Sequence, residues 1–154
     1  MTKQRITLGS IIELNIHDQY FCYAQILTEA DCAFFDYKSI ERLKDLSILE
    51  KADILFIVAV YNDVITQGRW MKVGKLEIRQ SLKNKPMKFI QDSLNHAKFE
   101  FYNPNNGEIT PATRKQCVGL EYAAVWEASH IEDRIRDHYE GKRNVWVEKM
   151  KVKL

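Results

Sequence analysis

From Ile6 to Ile16 apolar and polar positions alternate, with Ile12, Leu14 and Ile16 on one face and Ile11, Glu13 and Asn15 on the other. This is the period-two pattern of a half-buried strand, with Gly9-Ser10 marking its start or a bulge. His17-Asp18-Gln19 supplies a short polar turn before Tyr20 to Leu27, a second strand of tyrosine, phenylalanine and aliphatics. The two are expected to form a hairpin. Cys32 to Tyr37 predicts a third strand, after which Ser39 is placed to cap a short helix in which Ile40, Leu43 and Leu46 recur at helical spacing. Ile54 to Tyr61 is a continuous apolar run, read as a buried strand because it is far shorter than the roughly 20 residues that cross a bilayer as a helix.

The second half alternates less cleanly. Asn62 to Arg69 reads as a polar connection, and Trp70 to Ile78 as a weak strand interrupted at Gly74, a bulge or a point of close backbone approach. Gln80 to Lys98 is polar, basic and carries Pro86, which predicts a long loop. Phe99 to Tyr102 and Glu108 to Thr110 flank Asn103-Pro104-Asn105-Asn106-Gly107, a hairpin signal because asparagine and glycine accept the positive φ of tight turns. Ser129 and Glu132 stand at capping-box spacing, and Ile131, Ile135 and Tyr139 form an apolar stripe that stops before Gly141, which predicts a helix from His130 to Glu140. On it, Glu132 and Arg136 are spaced for an ion pair. Asn144 to Val152 predicts a closing strand. No repeat or linker divides residues 1–154, so one domain is expected.

Composition adds limits. A chain of 154 residues with 45% hydrophobic and 29% charged positions, three prolines and six glycines belongs with ordinary globular proteins. Cys22, Cys32 and Cys117 are an odd set without a C-x-x-C pair, as expected of buried free thiols in a reducing compartment. Met1-Thr2-Lys3-Gln4-Arg5 runs into a strand pattern with no apolar leader. Cytoplasmic localisation without a membrane partner is the expectation.

Candidate chemistry is sparse. His130, Arg134 and His138 share one side of the last helix, but the two histidines stand two turns apart, too far for the adjacent-turn pair of a zinc helix. Neither a nucleophile elbow nor a phosphate-binding glycine loop is present, and the cysteines lie in apolar surroundings that raise a thiol pKa. No cofactor, metal or catalytic residue is assigned, and a non-enzymatic protein is expected. Lys72, Lys75, Arg79, Lys83, Lys85 and Lys88, with Trp70 and Phe89 at the ends, read as a solvated lysine-rich loop. The alternative is a nucleic-acid face on a small binding or RNA-cleaving β-barrel. The net charge of +2 neither supports nor forbids nucleic-acid binding, and no nucleic-acid partner is expected. A third alternative is a small-molecule pocket lined by Tyr20, Tyr23, Phe35 and Trp126.

Several segments in order carry a resemblance: Gly9-Ser10-Ile11-Ile12, Tyr20 to Ala24, Phe34-Phe35-Asp36-Tyr37, Trp70-Met71-Lys72-Val73-Gly74-Lys75, Lys88-Phe89-Ile90-Gln91-Asp92, and Gly119-Leu120-Glu121 followed by Ala124-Val125-Trp126. With the closing stretch His130 to Tyr139, they resemble the immunity protein 26 family of bacterial polymorphic-toxin systems. The resemblance implies an antidote to a contact-delivered toxin, binding that toxin's C-terminal domain without catalysis.

The fold expected is α+β, dominated by an antiparallel, curved sheet or partial barrel, with a short helix after Tyr37 and the His130 to Glu140 helix on one side. Partner contacts are expected at Trp70, Gln91, Asp92, Glu121, Arg134 and His138, with core support weighed as the other role for Trp70 and Glu121.

Overall fold

The computed structural model describes residues 3–28 and 31–153. Met1 and Thr2 of the amino-terminal Met1–Arg5 stretch lie outside the described residues. Strands β1 (Ser10–Ile16), β2 (Tyr20–Ile26), β3 (Asp31–Ser39) and β4 (Ile54–Val60) pair antiparallel in sequence order. The expected first hairpin closes through His17 and Asp18, both at positive φ, with Asn15 and Asp18 bonded to each other across the turn. Strand β5 (Met71–Lys75) adds to β1, and β10 (Val125–Trp126) adds parallel to β4, giving a six-stranded open sheet in the order β10-β4-β3-β2-β1-β5. A second sheet, in the order β8-β7-β6-β9, contains β6 (Lys88–Gln91), β7 (Phe99–Tyr102), β8 (Ile109–Ala112) and β9 (Glu121–Tyr122). The fold is therefore α+β and strand-rich, but both sheets are mixed and neither closes into a barrel.

One face of the first sheet carries Ile12, Leu14, Ile16, Ala24, Phe34 and Val58, and packs against Trp70, Trp126 and the Ile131–Ile135 stripe of a long helix. The opposite face is also covered. Ile11, Tyr23 and Phe35 pack on Leu49, with Leu43 and Leu46 alongside, while Leu27 and Ala33 pack on Leu82. Burial on both sides explains why Ile11, assigned from alternation to the more polar face, is as buried as Ile12.

Gly74 serves both roles anticipated for it. The β1–β5 register shifts beside it, and a Cβ there would meet the Leu46 side chain at 2.4 Å. Gly9 immediately precedes the first strand at φ +84°, where a side chain would press on the Leu76 carbonyl.

Helices α1 (Asp63–Thr66), α2 (Arg114–Cys117), α3 (Ala128–Glu140) and α4 (Val145–Lys149) complete the chain. Five expectations are corrected. The short helix after Tyr37 does not start from a Ser39 cap: Ile40 is 84% exposed, and the helix is a 3-10 helix over Leu46–Lys51, capped by Asp45, which accepts from the Ser47 N–H. The connection over residues 62–69 holds α1, which buries Val64 and Ile65. The loop expected from Gln80 to Lys98 contains β6, paired on one side with β7 and on the other with β9. Helix α3 starts at Ala128 with Glu127 as N-cap, so the Ser129–Glu132 capping box does not form; the capping box lies on α2, between Thr113 and Gln116. Finally, the closing strand is α4, because Asn144 accepts from the Trp146 and Val147 N–H groups and starts a helix there. Gly141, at φ +69°, ends α3 as expected.

Candidate functional site at the sheet junction

The two sheets meet through six residues. Glu121 and Tyr122 pair with β6, while Val125 and Trp126 pair with β4. Into this junction come charged groups from distant parts of the chain. Asp31, at the start of β3, accepts from Lys85 Nζ at 3.1 Å and from Lys88 Nζ at 3.0 Å, and all three side chains are at most 10% exposed. Lys88 stands opposite Glu121 in the β6–β9 register. Glu121 in turn accepts from both terminal guanidinium nitrogens of Arg134, at 3.0 and 2.7 Å, a bidentate geometry that lysine cannot supply. The Arg134 plane lies 3.8 Å from the Phe56 ring centroid and 5.1 Å from that of Trp126, so its apolar faces are packed while its edge is paired.

Of the expected contact residues, Glu121 and Arg134 are thus brought together across 13 positions of sequence. Gln91 and Asp92 lie at the far end of β6. Gln91 clamps the C-terminal segment, donating to the Lys153 carbonyl and accepting from the Lys153 N–H at 2.8 Å each. Asp92 accepts from the Leu94 and Asn95 N–H groups, which hold its carboxyl below the usual carboxylate range. His138 is exposed near the end of α3, its ring edge-on to Tyr139. Trp70 is 1% exposed and packs edge-on to Phe34, with its indole N–H bonded to Glu132, so it has the supporting role and presents no ring to a partner.

His130, Arg134 and His138 take separate partners rather than one ligand: His130 stacks on Trp146 at 3.7 Å between centroids. Glu132 and Arg136 do not pair either, since Arg136 bridges Asp133 and Asp137 while Glu132 is taken by Arg69 and Trp70.

The basic stretch is only in part the solvated loop expected: Lys75 and Lys83 are exposed, and the other four cations are engaged. Lys85 and Lys88 are buried on Asp31, Lys72 donates to the Arg5 carbonyl, and Arg79 donates to the Ala52 and Leu49 carbonyls. Trp70 and Phe89, the stacking residues of a nucleic-acid face, are each 1% exposed. The small-molecule pocket also separates, because Tyr23 and Phe35 pack on one face of the first sheet and Tyr20 and Trp126 on the other. Burial pushes the Cys22 and Cys32 thiols up to about 12 and raises that of Cys117, so neutral thiols sit in the core. Among the described residues no group of three His, Cys, Asp or Glu side chains is placed to hold a metal ion, and no helix is long and apolar enough to cross a membrane.

Fold and junction define a two-sheet α+β protein whose buried charges are engaged in holding its own elements together. The chain belongs to the immunity protein 26 family, which matches residues 7–100, more than half of its length. The Gly119–Trp126 and His130–Tyr139 segments of the resemblance lie beyond that stretch. No curated protein and no solved structure matches the chain.

Proposed function

We propose that this protein is an antidote that binds the C-terminal domain of one cognate toxin and neutralises it by contact, in the bacterial cytoplasm and without chemistry of its own. The observation that carries this reading is membership of the immunity protein 26 family over residues 7–100. Two structural features support it. The thiols that could serve as nucleophiles are kept protonated by burial. The sheet is covered on both faces, which gives a rigid body whose loops and second sheet are left to meet a partner.

Partner contacts are proposed at Gln91, Asp92 and His138, with Glu121 and Arg134, engaged with each other, holding the junction beside them. Co-expression with the toxin domain encoded immediately upstream tests the reading: survival is expected, together with a complex recovered by pull-down. Unchanged toxicity with both chains well expressed, and no complex, would reject that pairing.

A further inference from the structure

Between the second sheet and α4 lies a half-open cavity of about 500 Å³. Its apolar wall includes Val118, Leu120, Trp126, Val147 and Met150. This volume is in the range that accepts a bulky side chain or a small ligand. Trp126 is 2% exposed, and its indole N–H is buried with no acceptor among the described residues. A buried donor without an acceptor is unusual and costly. The contrast with Trp70 is direct, since that indole N–H is bonded to Glu132.

The rim is positively charged. Arg114 and Lys151 line the cavity, and Lys149 and Lys153 line an adjoining one of about 130 Å³ that shares Phe89, Tyr122, Met150 and Lys151 with it. The nearby carboxylates are engaged: Glu121 by Arg134, Glu148 by Lys151, and Asp92 by backbone N–H groups. Among the described residues Arg114, Lys149 and Lys153 have no carboxylate within ion-pair distance; Lys149 lies over the Trp146 ring. An apolar cavity with a basic rim is complementary to an apolar group flanked by acids. Apart from Phe89, every residue of the cavity lies beyond residue 100, outside the stretch that the family matches.

We infer that this cavity seats a bulky apolar side chain carried on an acidic segment of the toxin domain. The inference rests on the antidote reading above. Calorimetric titration of the toxin domain into the wild-type protein, Val118→Asp, and the double variant Lys149→Glu with Lys153→Glu tests it. Val118 is 65% exposed and both lysines are exposed, so unchanged melting temperatures are expected. Ile40→Asp, at an exposed site after β3, serves as control. Both cavity variants are expected to weaken binding by about tenfold or more, with Ile40→Asp unchanged. If the wild-type protein binds and rescues while either cavity variant stays within about twofold of it, the cavity inference falls and the antidote reading stands. If the wild-type protein neither binds nor rescues, the antidote reading falls and takes this inference with it.

Discussion

Trp70 Nε1 donates a 2.9 Å hydrogen bond to Glu132 Oε2, joining the residue before β5 to the middle of α3. Arg69 holds the same carboxylate through two further bonds of 3.2 and 2.7 Å. One buried acid thus ties the helix to the edge of the first sheet, and its hydrogen bond to Arg69 raises the pKa of that guanidinium. Glu132→Ala leaves the Trp70 N–H buried without an acceptor and is expected to cost about 3 kcal/mol in urea denaturation. Trp70→Phe keeps a ring and loses only the donor, for about 2 kcal/mol. Equal stability of Glu132→Ala and wild type would show that the helix needs no such tie.

The junction of the sheets gives a second prediction. Asp31 is the shared acceptor of Lys85 and Lys88. Asp31→Asn strands two buried ammonium groups, and a loss of about 3–5 kcal/mol is expected. Lys85→Met keeps the Asp31–Lys88 pair and replaces a buried charge by an apolar chain of similar length, so its stability should stay within about 1 kcal/mol of wild type. Denaturant midpoints of the two variants side by side would check the asymmetry.

Asn144 governs the C-terminal helix. Its side chain accepts from the Trp146 and Val147 N–H groups and donates to Asp137 Oδ2 at 2.9 Å, linking α4 to the end of α3. Asn144→Ala is expected to cost about 1–2 kcal/mol. Hydrogen exchange should show the loss concentrated over residues 145–149.

Alkaline pH provides the fourth. The folded-state pKa of Cys22 and of Cys32 is pushed up to about 12 from an ordinary value of 9.0. A raised folded pKa means that stability is full below the unfolded value and is lost as pH rises from there towards the folded one, because only the unfolded chain releases the proton. Each thiol should therefore remove about 1.4 kcal/mol by pH 10. Urea midpoints at pH 7 and pH 10 should differ less in a Cys22→Ala, Cys32→Ala variant than in wild type; an equal difference would mean that these thiols are not the cause.

Much of the fold was legible where local pattern and burial agree. The alternation of Ile12, Leu14 and Ile16, the apolar run from Ile54, the Asn103–Gly107 turn and the Ile131, Ile135, Tyr139 stripe each correspond to an element of the structure. Strand β6 was hidden because it opens on Lys88, a residue whose burial is intelligible only with Asp31 beside it. The closing segment reads as a strand by its valines, and becomes a helix because the Asn144 cap and packing of Trp146, Val147 and Met150 on the core outweigh weak local preference.

Sequence by itself determined the α+β class, the strand order of the first hairpin, the buried thiols and the family resemblance, because these rest on periodicities and motifs contained within single segments. Only tertiary structure decided that Glu132 serves Trp70 rather than a capping box, that Lys85 and Lys88 turn inward, and that Glu121 meets Arg134. A charged side chain takes its role from whatever opposite charge the fold brings within about 3–4 Å, and spacing along the chain carries no record of that distance.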